Sequence, residues 1–234
     1  MRESEILVLK GVPEVEVLLK PSPRARRMSL RVSRVDGRVT LTVPRGASRR
    51  EAVGFAQERA DWIRSHLADR PEEVRPQPGG TVLFTGRDHA LVADGGRAAR
   101  IGDGVIHLPL SAPEKTGARL AALFKHEARA RLHQASAHYA DQVGREFSRI
   151  TLRDTRSRWG SCSSTGGLMY SWRLVMAPPA VLEYVAAHEV AHLVHMDHSR
   201  AFWGQVAQIY PDYAAPRQWL RDHGTDLHRY RFRD

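Results

Sequence analysis

Two histidines four residues apart, with a glutamate beside the first, are the residues of this chain best suited to chemistry. His188, Glu189 and His192 stand in an apolar stretch, residues 187–198, whose pattern predicts a helix. At about 100° per residue, helix positions four apart differ by roughly 40°, so His188 and His192 share a face. Two imidazoles so placed can converge on one ion at about 2.0–2.1 Å, the usual zinc–nitrogen distance. Glu189 points about 100° away from His188, too far round to join both histidines as a ligand but near enough to hold a water beside the ion. Two ligands and one base is the division of labour in a zinc-dependent hydrolase. Composition alone gives roughly 0.03 chance H-E-x-x-H matches in a chain of this length, which favours function over a helix with surface histidines. His126-Glu127 is a near miss, because position 130 is Ala.

A third ligand must come from beyond the helix. Were the helix to continue, His195 would share the face of His188 but lie about 10.5 Å along the axis, too far for one ion. The chain must therefore turn back, and His198 suits that path. The spacing H-E-x-x-H-x-x-x-x-x-H matches the metzincin ligands, with His195 where metzincins have a turn Gly. A positive φ is uncommon for a residue other than Gly, although His is among those enriched there. The zincin class that takes a Glu from a later helix is excluded, since no Glu follows Glu189. Asp197, Asp212, His223 and His228 remain as other candidates.

Composition bounds the rest. Hydrophobic content of 42% and charged content of 26% are ordinary for a globular protein. The net charge is +10, and of 36 basic residues only Lys10, Lys20, Lys115 and Lys125 are lysines. Arginine suits phosphate or carboxylate binding. The basic residues are scattered, however, so a nucleic-acid partner is open but not favoured. Cys162 is the only cysteine, which rules out an intrachain disulfide and fits a reducing compartment. The first ten residues lack a long apolar core, and no run approaches the roughly 18 apolar residues of a membrane span. The expectation is a cytoplasmic protein with no membrane partner; its oligomeric state is open.

The elements that must position the motif can be read in order. Strands are expected at 15–19, 28–32 and 39–43, with Asp36-Gly37 as a hairpin turn. Ser48-Arg49-Arg50-Glu51 is a capping box for one helix carrying Val53, Ala56, Ala60, Ile63 and Leu67, with Trp62 beside that stripe. Residues 69–80 are rich in Pro, Gly and charge and read as a linker. Residues 81–110 look like a small antiparallel sheet. Residues 116–144 form one long helix with Leu120, Leu123, Phe124, Leu132, Tyr139 and Val143 inward and His126, His133 and His138 as unremarkable surface or packing histidines. Strands follow at 150–153 and 169–176. Ala177-Pro178-Pro179 then opens the motif helix, with Pro favoured in the first turn. Ser199 caps a helix ended by Pro211, a short helix runs from Pro216 to His223, and the basic, aromatic tail is expected to be mobile.

Several of these residues together resemble a known family. Ser157-Arg158-Trp159-Gly160-Ser161-Cys162-Ser163, Trp172-Arg173-Leu174, Ala177-Pro178, Tyr184-Val185, the H-E-x-x-H motif and His198-Ser199-x-x-Phe202-Trp203 resemble the YgjP-like family, zinc-dependent metallopeptidases related to the SprT-like group. The likeness spans about residues 24–224; Ser171 stands where many members have Asn. It implies a zincin catalytic domain holding one Zn2+ per chain, with His188, His192 and His198 as ligands and Glu189 as the base. The expected fold class is α+β: an N-terminal β-hairpin and helix region at 1–68, a linker at 69–80, a small antiparallel β region at 81–115, and a zincin-like catalytic domain at 116–234 with the motif on a central helix. The expected substrate is a protein or peptide. Candidate substrate-binding residues are Trp159, Gly160 and Ser161 on one strand and Trp172 and Arg173 on another, which could pair with an extended chain. Core packing is the simpler account of both tryptophans. Tyr170, Arg173, Tyr210, Tyr213 and His223 are candidates for stabilising the oxyanion. Two other classes stand beside the peptidase: a nucleic-acid-associated protease, and a zinc-stabilised interaction protein without catalysis, which would need a closed site and no base.

Overall fold

The computed structural model describes residues 3–33, 35–69 and 72–232. It divides the chain into two compact units, Met1–Glu72 and Glu73–Asp234. The first unit is a four-stranded sheet backed by helices. Strand β1 (Glu5–Leu9), β2 (Val15–Ser22), β3 (Ser29–Val32) and β4 (Val39–Pro44) lie in the order β1-β2-β4-β3. β1 lies before the first strand the sequence suggested. Alternation sets the core face: Val15, Val17 and Leu19 of β2 and Val39, Leu41 and Val43 of β4 point inward, onto Ala52, Ala56 and Ile63. The Asp36-Gly37 turn joins β3 to β4 antiparallel, with Gly37 at φ 71° where a Cβ would be strained. The capping box is present, Ser48 Oγ accepting from Glu51 N and Ser48 N donating to Glu51 Oε2. The single helix expected after it is two, α1 (Arg49–Glu58) and α2 (Ala60–Ala68), because Arg59 leaves helical geometry at φ −101°, ψ 8°.

The second unit carries the motif. Strands β5 (Thr81–Phe84), β6 (Arg87–Ala93), β7 (Arg100–Ile101) and β8 (Val105–Leu108) form a sheet in the order β5-β6-β8-β7. It is mixed rather than antiparallel throughout: β6 pairs with β8 in parallel. Helix α3 (Thr116–Gln142) buries Leu120, Phe124, Leu132 and Tyr139 as its pattern requires and leaves His126, His133 and His138 exposed. Val82, Phe84, Leu91, Ile106 and Leu108 of the sheet share one apolar cluster with α3 and the motif helix. A three-stranded sheet follows, of β9 (Arg149–Arg153), β10 (Gly160–Cys162) and β11 (Gly167–Ser171), with order β10-β11-β9. β11 runs antiparallel to β10 and parallel to β9, which leaves β10 as an edge.

The strand expected at 169–176 ends at Ser171, and Trp172–Met176 is a 3-10 turn with every residue buried. A continuous apolar run does not distinguish a buried strand from a buried turn of helix. Pro179 then opens α4 (Pro179–Ala191), followed by α5 (Arg200–Ile209) and α6 (Ala214–His223). The tail is not mobile as expected. Val74 N donates to Arg229 O and Arg231 N to Val74 O, while Tyr230 and Phe232 are buried. Residues 233–234 lie outside the described ones. Among the described residues no helix is long and apolar enough to cross a membrane.

Candidate metal centre

The geometry of the centre starts with the end of α4. The helix stops at Ala191, His192 serves as its C-cap, and the next three amides turn back on it: Leu193 N bonds Val190 O, while Val194 N and His195 N bond Ala191 O. The turn needs no left-handed residue at His195, which is not among the residues with positive φ. The departure from the metzincin Gly therefore carries no strain. The carbonyl of His195 lies 2.9 Å from His192 Nδ1 and accepts its proton. That bond fixes the tautomer and leaves the Nε2 lone pair of His192 for a ligand. Asp197 Oδ1 accepts from Ser199 N at 3.2 Å, and Ser199 caps α5, so the chain arrives at His198 in a defined conformation.

Three imidazoles meet as a result. His188, His192 and His198 offer nitrogens that all lie within 4.8 Å of one another. The Nε2 atoms of His188 and His198 are 3.2 Å apart, and the ring centroids are separated by 4.7 to 5.1 Å. Phe202 of α5, fully buried, supports all three: its ring stacks on His192 at 4.4 Å and meets His188 and His198 edge-on at 4.9 and 4.8 Å. The apolar pattern of α5 shows that Phe202 is inward but not what it supports. Burial, then the neighbouring His192 and His198, push His188 down to about 3, so it is neutral at ordinary pH. Its Nδ1 is buried without a hydrogen-bond partner. Three imidazoles whose nitrogens converge fit a borderline divalent cation such as zinc.

Glu189 is only 4% exposed, and its Oε2 has no hydrogen-bond partner. Burial raises its carboxyl to about 8, with Arg158 pulling the other way. The backbone of β10 lies directly over it: a Cβ at Gly160 would fall 2.4 Å from Glu189 Oε1. That close approach is the physical reason for Gly at this position. Trp159 stacks on His228 at 5.2 Å and lies against Gly224. Ser161 and Cys162 continue the edge strand; burial pushes the Cys162 thiol up to about 11, with Glu189 adding to the effect.

The other expected substrate residues are not brought to the histidines. Trp172 is 2% exposed and packs edge-on against Phe232. Arg173 donates to both carboxylate oxygens of Asp154 and to the carbonyls of Leu227 and Tyr230, which ties it to the tail. Tyr170 is buried and bonded to Ser136, and Tyr210 donates to Ala180 O, so both hydroxyls are engaged as well. Tyr213 stacks on Trp203 at 5.6 Å, and Trp203 lies 5.7 Å from His188. Arg217 lies 4.2 Å over the opposite partner of that stack, Trp203, which places a cation beside the centre that the sequence did not single out. Among the described residues Asp197, Asp212, His223 and His228 do not join the histidine group.

No curated protein matches the chain. Among solved structures it is similar to abylysin, a metallopeptidase zymogen of Pyrococcus abyssi, at 21% identity and a TM-score of 0.35, over 40% of this chain and 92% of that one. A family model described as "YgjP-like, metallopeptidase domain" matches residues 26–223, and the chain belongs to that metallopeptidase family.

Proposed function

We propose that this chain hydrolyses peptide bonds with one zinc ion held by His188, His192 and His198, and with Glu189 as the group that moves the proton. One observation carries the reading: three converging imidazole nitrogens stand beside a buried carboxylate with an unpartnered oxygen, under a strand that is an edge of its sheet among the described residues. When bound, zinc supplies Lewis acidity, which acidifies water toward pKa about 7 and polarises a carbonyl. The rest is the work of the chain. The His195 carbonyl holds the His192 ring, and Phe202 holds all three imidazoles in place. Burial favours the neutral carboxyl of Glu189, whereas the charge of a cation bound by the three histidines would favour its ionised form. So ionised, and kept out of bulk water by α4 and β10, it accepts a proton from the attacking water at a carboxylate oxygen and returns it to the leaving amine. The edge of β10 offers unpaired backbone groups to which an extended peptide adds as a further strand, with Gly160 leaving room above Glu189. A zinc-stabilised protein without catalysis is disfavoured, because a structural site has no use for a base placed like Glu189.

The test is metal analysis together with cleavage of an unbiased peptide library by wild type and Glu189→Gln. The wild type should hold about one zinc per chain and cut peptides. Glu189→Gln should keep the metal and lose about 10²–10⁴-fold in turnover, the usual range for removing a general base. A metal-loaded variant with undiminished turnover would remove Glu189 from the mechanism.

A further inference from the structure

We propose that a second site, lying within the 73–234 unit and sharing no residue with the histidine centre, binds a phosphate-type oxyanion. A cavity of about 580 Å3 is walled by Arg75, Lys125, Arg153, Arg156, Arg173 and Arg231. Two carboxylates line it with them, Glu73 and Asp154, and each is already held. Arg173 Nε donates to Asp154 Oδ1 at 2.6 Å and Nη2 to Oδ2 at 3.2 Å, while Arg231 Nη2 bonds Glu73 Oε1. Lys125 and Arg153 have no ion-pair partner among the described residues. Leu152, Trp172 and Phe232 supply apolar wall, and the Arg173 side chain is only 8% exposed.

The cations come from separate parts of the chain: the segment before β5, the middle of α3, the end of β9 with its following loop, the Trp172–Met176 turn, and the C-terminal tail. The fold gathers them; they are not one basic run on a solvated face. Like charges converging on a partly enclosed space repel one another and focus a positive potential there. A compact phosphate-type anion with several acceptor oxygens relieves that repulsion. The guanidinium fork matches phosphate in bidentate fashion, and a lysine adds a point charge. A phosphate can arrive as the free ion or as part of a nucleic-acid backbone, and the recognition chemistry is the same. The inference stands whether or not the chain cuts peptides.

Calorimetric titration of the zinc-loaded full chain tests it, with inorganic phosphate in one arm and a single-stranded oligonucleotide in the other. The variant is Lys125→Gln/Arg153→Gln, which removes two cations that have no ion-pair partner among the described residues and lie outside the histidine centre. Zinc content and the unfolding transition show that it folds. At least one probe should bind the wild type, weaken with added salt, and bind the variant at least about tenfold less tightly. Loss confined to inorganic phosphate assigns a free anion; oligonucleotide binding that falls in the same variant assigns a backbone phosphate. Absence of binding by both probes at about 10 mM phosphate or saturating oligonucleotide, or affinity unchanged in the variant, overturns the proposal.

Discussion

Glu189 and Gly160 act as a pair. The carboxylate is buried with its Oε2 unpartnered, and it fits there because the residue above it has no side chain. A methyl at position 160 would lie 2.4 Å from Oε1, 2.6 Å from Cγ and 2.7 Å from Cδ, closer than real contacts allow. With Glu189 enclosed on its other sides, either the carboxylate or β10 must shift, and overpacking of this kind typically costs 1–3 kcal/mol. Gly160→Ala should therefore retain zinc, unfold more easily by about that amount, and turn over peptide at least about tenfold more slowly, since small misplacements of a catalytic group cost large factors. Parallel measurement of zinc content and turnover checks this. Full activity in a zinc-replete Gly160→Ala protein would mean that the carboxylate does not work from the position described.

At the scale of elements, the ending of α4 matters more than its course. Helical spacing alone placed His188 and His192 on one face and argued against His195; the chain turns after Ala191, His195 contributes its carbonyl to His192 Nδ1, and its ring is outside the histidine group. His198→Ala should accordingly weaken zinc binding strongly, whereas His195→Ala keeps the same backbone carbonyl and should leave affinity nearly unchanged. Competition with a chromophoric chelator at fixed pH measures both, because proton and metal compete for the same nitrogens. Loss of zinc from His195→Ala with retention in His198→Ala would refute the third-ligand assignment. The motif was legible because its chemistry is written in short-range spacing. What could not be read depends on long-range packing. The break at Arg59 has no Gly or Pro to announce it, and the parallel pairing of β6 with β8 depends on which strands meet, not on their own alternation. Trp172–Met176 is apolar throughout, so its 3-10 turn looks like a strand, and Phe202 reads as one more inward residue until its three histidine neighbours are seen.

At the scale of the molecule, the C-terminal tail is a tie across the 73–234 unit. Its Phe232 packs on Phe124 and Trp172, its carbonyls at Leu227 and Tyr230 accept from Arg173, and its His228 stacks on Trp159, the neighbour of Gly160. Contacts thus run from the tail through Trp159 to the strand above Glu189. His228 is 4% exposed, and burial, then the charge of Arg173, lower it from 6.5 to about 4; Arg156 and Arg231 act in the same direction and Asp154 opposes them. The folded-state pKa lies below the unfolded one, so the unfolded chain takes up the proton first as the solution is acidified. The stability from neutral His228 is complete above pH about 6.5, falls as pH drops through the interval to about 4, and amounts to about 3 kcal/mol at most. His228→Phe keeps a flat ring against Trp159 but cannot titrate. Urea unfolding of both proteins between pH about 7 and 4 should show the wild type losing stability relative to the variant as pH falls, with the gap opening below pH about 6.5. Acid loss of zinc is common to both and cancels in the difference. Curves that stay parallel across that range would show that His228 titrates as freely in the folded protein as in the unfolded chain, and that the tail does not bury it as described.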